Sequence, residues 1–134
     1  MVFHYDDQNE DSEDYLTIEY NDDGAVDFIF NDDESEQSPF CQLRDPMWLV
    51  GWLQRVLVKL KRREDDQVRI YDESQEGEFR DSICLSTNGP SLDLEFTFFE
   101  SHSTDPIPFV TLKISQVKQI IKDLMTINRE VLDA

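Results

Sequence analysis

Arg44-Asp45-Pro46-Met47-Trp48-Leu49-Val50-Gly51-Trp52-Leu53-Gln54-Arg55-Val56-Leu57-Val58-Lys59-Leu60-Lys61-Arg62-Arg63 is the apolar centre of the chain, and the other elements read most simply as packing around it. Leu49, Trp52, Leu53, Val56, Leu57 and Leu60 recur at spacings of three and four, the signature of one buried helix face. Asp45 is suited to cap that helix and Pro46 to its first position, because the ring fixes φ and its missing N–H would be unpaired there anyway. Lys59, Lys61, Arg62 and Arg63 complement the negative end of the helix dipole before Glu64-Asp65-Asp66 ends the pattern. Trp48 and Trp52 lie one turn apart at a margin of the apolar arc. Core packing is expected of them, with an exposed aromatic shelf as the alternative.

Outward from this helix the period changes from 3.6 to 2. Tyr15-Leu16-Thr17-Ile18-Glu19-Tyr20 alternates apolar and polar residues, Asn21-Asp22-Asp23-Gly24 supplies turn chemistry, and Ala25 to Phe30 alternates again. An N-terminal hairpin follows from this pattern. On the other side of the helix, strands are predicted over Gln67 to Tyr71, Arg80 to Ser86, Leu92 to Phe98 and Phe109 to Ile114. Ser115 then caps a second helix carrying Val117, Ile120, Ile121, Leu124, Ile127, Val131 and Leu132. Strands, helix, strands, helix predict an α+β fold: an antiparallel sheet of about five or six strands with a central helix and a C-terminal helix packed on it. Residues 1–14 read as a mobile acidic arm and residues 15–134 as a single domain, with no internal repeat visible in the residues.

Charge is the outlying property. Twelve Lys and Arg face thirty Asp and Glu, a net charge of −18, against roughly 2 to 8 in magnitude for an ordinary small domain. The excess is lopsided, since residues 1–43 hold fourteen acids and no Lys or Arg. Self-repulsion on that scale destabilises a compact state, so a concentrated negative field points to a cationic partner and away from nucleic acid and anionic membrane. Blocking edge-to-edge aggregation accounts for single charges on edge strands, but not for fourteen without one base. The expected partner-binding residues are Asp6, Asp7, Glu10, Asp11, Glu13, Asp14, Glu19, Asp22, Asp23, Asp27, Asp32, Asp33, Glu34 and Glu36.

Signs of chemistry are sparse. His4 and His102 have no nucleophile in a recognisable setting, Cys41 and Cys84 make no metal-ligand spacing, and GxGxxG, GxxxxGK[ST] and HExxH do not occur. A calcium loop begun at Asp7 puts Ser12 where Gly is needed and Ile18 where Glu is needed. Basic residues 59–63 read as a helix end rather than a phosphate contact. The opening Met1-Val2-Phe3-His4-Tyr5-Asp6-Asp7 does not read as a secretory leader, and no apolar run approaches the ~20 residues that span a bilayer. A reduced, cytoplasmic protein is expected, a monomer or weak dimer without metal or cofactor.

These features predict a non-enzymatic inhibitor, foremost an immunity protein that neutralises a basic, nuclease-like toxin by covering its nucleic-acid-binding or active-site surface. Charge would speed such an association to about 10⁸–10⁹ M⁻¹s⁻¹ at low salt. Two alternatives share the composition. One is a nucleic-acid mimic with rows of carboxylates that occupy a DNA-binding enzyme; the other is a small acidic secretion-type chaperone, which requires a large exposed apolar patch. An enzyme is disfavoured by the missing nucleophile, cofactor and metal signatures.

Overall fold

A computed structural model describes residues 2–9, 11–21, 25–31, 40–77, 80–87, 92–101 and 109–133, without the side chains of 130–133. Its elements, in chain order, are β1 (Val2–Asp6), β2 (Tyr15–Tyr20), β3 (Val26–Asn31), β4 (Phe40–Leu43), α1 (Pro46–Lys61), β5 (Asp66–Tyr71), β6 (Ser82–Thr87), β7 (Asp93–Phe99), β8 (Phe109–Lys113) and α2 (Ile114–Asp133). The fold is α+β. In place of one sheet of five or six strands it has two antiparallel sheets of four, ordered β1-β2-β3-β4 (sheet A) and β5-β6-β7-β8 (sheet B). Each sheet is a meander followed by a helix, so the chain is a tandem of two ββββα units.

Both sheets and both helices contribute to one core, in which Phe28, Phe30 and Phe96 are the largest fully buried side chains. Phe30 of sheet A meets Phe98 of sheet B with ring centroids 5.9 Å apart. Strand parity does the sorting: Leu16 and Ile18, then Val26, Phe28 and Phe30, are buried, while the residues between them are not. Helix α1 lies against β5, β6 and β7, α2 against β7 and β8, and the helices pack on each other.

Two matching junctions tie the sheets together. After β1, Asp7 Oδ2 accepts from the backbone N–H of Thr111 (3.3 Å), and the N–H of Gln8 donates to the Thr111 carbonyl (2.8 Å). After β5, Asp72 Oδ2 accepts from the N–H of Gln42 (3.0 Å), and the N–H of Glu73 donates to the Gln42 carbonyl (2.9 Å). The second oxygen of each aspartate accepts from the N–H two residues on, Asn9 in one case and Ser74 in the other. The two halves thus bond each other's last strand with the same three-residue device, a repeat expressed in geometry with almost no shared residues.

Asp45 caps α1 as predicted, its Oδ1 accepting from Met47 N (3.0 Å) and Trp48 N (3.4 Å). The other end closes with Glu64 N on the Lys59 carbonyl and Arg63 N on the Leu60 carbonyl, with Arg63 at φ 57°. That is a Schellman ending with arginine where glycine is the usual occupant. Helix α2 corrects the sequence reading. It starts at Ile114, directly from β8, and Ser115 is not its cap; instead Gln116 Oε1 reaches back to the N–H of Lys113 (3.0 Å), half of a capping box. Nor is β1, within the expected acidic arm, separate from the sheet. Val2–Asp6 pairs along its length with β2, because Phe3 and Tyr5 have apolar surface to bury and Asp7 is anchored to β8. Among the described residues, no helix is long and apolar enough to cross a membrane.

Candidate functional site

The outward face of sheet A carries Asp6, Glu19 and Asp27 of the fourteen acids predicted to bind. Alternation turns Thr17 and Glu19 of β2 and Asp27 and Ile29 of β3 away from the core, and the register sets Glu19 directly opposite Asp27. The row continues to Val2 on one side and Gln42 on the other. Like charges in opposed cross-strand positions repel. Asp27 is held by amides that donate without neutralising it: Asn21 Nδ2 at 2.8 Å and Gln42 Nε2 at 2.9 Å. At the β1 edge Asp6 Oδ1 pairs with His4 Nε2 at 2.9 Å, and the His4 ring lies 4.1 Å from that of Tyr15.

The remaining predicted residues divide. Asp11 and Glu13 are exposed, and Asp14 is half-buried with its carbonyl accepting from Asp7 N. Asp7 is a structural acid, with both carboxylate oxygens occupied by backbone N–H groups. Glu10, Asp22, Asp23, Asp32, Asp33, Glu34 and Glu36 lie outside the described residues, as does His102.

Two acids that the sequence does not single out form the seam beside β4. Asp72 is 1% exposed and accepts from Gln42 N, Ser74 N and the Ser74 hydroxyl; Glu73 accepts from Arg44 N (3.1 Å). Buried Asp123 of α2 accepts from the Tyr5 hydroxyl and Gln119 Nε2, which ties β1 to the helix layer. Only partner geometry separates these acids from surface ones, since in sequence each is one more aspartate or glutamate in an acidic chain.

The chemistry such groups can perform is limited. Burial, reinforced by Asp72, Asp81, Glu73 and Asp27, pushes the Cys41 thiol far up, so it stays protonated and is no nucleophile. Burial and the bond to Asp123 do the same to Tyr5. Cys41 and Cys84 are free and buried, and no group of His, Cys, Asp and Glu among the described residues is arranged to hold a metal ion.

Two other surfaces stand apart. Trp48 is 46% exposed and meets Trp52 edge to face at 6.0 Å; Trp52 is half-buried against the core, as expected, and Trp48 alone forms the exposed shelf. The cause is position on the helix: the arc centred on Leu49, Leu53, Val56 and Leu60 fills the core and leaves the tryptophans at its margin. On the outward face of sheet B, Arg69 stacks over Phe99 (4.6 Å) and Arg80 over Tyr71 (5.0 Å). Strand parity is the signal that could have found Arg69, Tyr71 and Phe99; Arg80 precedes β6 and has none. Searches against protein-family models, curated proteins and solved structures return no match to this chain.

Proposed function

We propose that this protein is a non-enzymatic acidic inhibitor whose sheet A covers a cationic surface on a basic, nuclease-like toxin, as an immunity protein does. The observation that carries the reading is the opposed Glu19 and Asp27 on the outward face of sheet A, in a region without a single Lys or Arg to offset them. A fold gains nothing from that opposition, whereas a partner that places a cation between the two carboxylates gains from both. The mimic reading is less well supported. Among the described residues the outward carboxylates of sheet A are interrupted by Thr17, Ile29 and Phe40 rather than set in a row.

The test is co-expression with the product of the neighbouring gene. If that product is basic and toxic, co-expression of this chain should rescue growth, and the Glu19→Gln, Asp27→Asn double variant should rescue less. A neighbouring product that is neither basic nor bound by this chain would remove the toxin reading.

A further inference from the structure

We infer that the free edge of β1, together with the flank of α2, forms a cleft that takes an extended cationic segment of a partner protein by strand addition. Which way β1 presents its backbone follows from two bonds. Asp7 N donates to the carbonyl of Asp14 across the β1–β2 ladder, so by alternation Phe3 and Tyr5 also bond β2, and Val2, His4 and Asp6 turn their backbone groups away from it. Gln116 Nε2 of α2, donating to the Asp6 carbonyl at 2.6 Å, agrees with that direction.

Along this outer edge Gln8 is bonded to β8 and the Asp6 carbonyl to Gln116, which closes one end. Among the described residues nothing bonds the N–H of Asp6 or the N–H and C=O of His4 and Val2. Those groups border a cleft of about 500 Å³ lined by all five β1 residues and by Ser115, Gln116, Gln119 and Asp123 of α2. A strand edge facing a helix flank across such a space is a geometry in which an extended peptide adds a strand, main-chain bonds giving affinity and alternate side chains giving specificity. An edge left open is a hazard that folded proteins otherwise cover or blunt. The outer edges at the other side of each sheet are pinned mid-strand, β4 at Gln42 by Asp72 and Glu73 and β8 at Thr111 by Asp7 and Gln8.

Charge selects the occupant. The cleft lining contains Asp6 and Asp123 and no Lys or Arg, and the sheet beside it belongs to the third of the chain that holds fourteen acids and no base. Alternating residues of an added strand would point to the two sides of sheet A, so a segment with cations at every second position would set them beside the outward acids. The sign of that charge rests on the proposed function; the free edge does not.

The probe is a short synthetic peptide alternating lysine and valine, with blocked ends, titrated against the whole protein by fluorescence anisotropy and by amide hydrogen exchange. Binding should slow exchange at the His4 amide. The same peptide N-methylated at alternate residues keeps its charge but loses its donors, and should bind at least about tenfold more weakly, the equivalent of one lost hydrogen bond. His4→Pro removes an edge-facing N–H, which an edge strand tolerates, together with the ring contacts to Asp6 and Tyr15, so His4→Ala, which loses the ring and keeps the N–H, is its reference; relative to that variant the proline should weaken the unmodified peptide similarly and leave the thermal transition nearly unchanged. Equal binding of the methylated and unmethylated peptides to the wild-type protein would overturn strand addition whatever the proline variant does. So would the absence of binding. Equal binding of a glutamate–valine peptide would overturn the cationic specificity. Because the assay contains no toxin, it can fail while growth rescue succeeds, and the reverse.

Discussion

The outward faces of the two sheets share an architecture and differ in electrostatics. In sheet A the register opposes Glu19 to Asp27; in sheet B the row at the matching register sets a single acid, Glu95, between Ser86 and Thr111, and another outward row opposes Asp93 to Lys113. Sheet A has no arginine, whereas Arg69 of β5 and Arg80 ahead of β6 stack on aromatic rings of sheet B. The second half shows that a ββββα unit of this kind is built readily with compensated charge. The uncompensated charge of the first half is therefore not a requirement of the fold, and its use has to be sought at the surface.

The largest effect expected from this contrast is on binding. With the cationic partner in hand, Glu19→Gln with Asp27→Asn should raise the dissociation rate on the order of a thousandfold, because truncating one side of a desolvated charge pair costs about 2 kcal/mol or more and two are removed. Asp93→Asn with Glu95→Gln removes the same charge from sheet B and should leave dissociation within about twofold, since screened distant charges act on association. Equal dissociation rates for the two variants, read by surface-bound kinetics, would take sheet A out of the interface.

The paired junctions sharpen the comparison between halves. Asp72→Ala strands two backbone donors and a hydroxyl at a site that is 1% exposed, and should cost about 3 kcal/mol in urea unfolding. Asp7→Ala strands two donors at a half-buried site that water reaches, and about 1.5 kcal/mol is expected. The reverse order would mean that the β1–β8 junction, not the β4–β5 one, secures the tandem.

Much of this was legible in the residues. Asp45-Pro46 marked the start of α1, and period-two alternation marked β2, β3 and β5 to β8. The alternation failed for β1, where only Phe3 and Tyr5 face inward, and for β4, whose four residues are too few to show a period. The repeat was invisible because Asp7-Gln8-Asn9 and Asp72-Glu73-Ser74 share one aspartate, and an aspartate bonding the N–H two residues on is ordinary turn chemistry. Parity predicted that Glu19 and Asp27 face outward. Their opposition depends on register, which a one-residue slip would change, and no count of acids supplies it.

Alkaline pH probes the field at the seam between the sheets. The Cys41 thiol and Tyr5 hydroxyl are both raised by burial and by neighbouring carboxylates. The unfolded chain releases these protons first, near the ordinary values of about 8.5 and 10, so their contribution is complete below about pH 8.5 and is lost as pH rises. Unfolding free energy should fall by about 1.4 kcal/mol per pH unit once Cys41 alone is engaged, and about twice that above pH ~10. In Cys41→Ala the first limb should vanish; its persistence would assign the loss to other groups.

The smallest effect is the most direct test of the contrast, because it needs no partner. Glu19→Gln removes one half of the like-charge pair and leaves the two amides on Asp27 undisturbed, which makes it a cleaner probe than Asp27→Asn. Relief of cross-strand repulsion is worth a few tenths to about 1 kcal/mol, and both groups are only half-buried, so a stabilisation of about 0.5 kcal/mol is expected at low salt. Asp93→Asn removes half of an opposite-charge pair and should destabilise by about the same amount. Adding salt to about 1 M shortens the Debye length to about 3 Å and should shrink both effects toward zero. Opposite signs at low salt that converge at high salt would show that one fold carries a compensated and an uncompensated face. If Glu19→Gln destabilises at low salt, the carboxylate serves sheet A itself and the case for a cation-seeking surface loses its central observation.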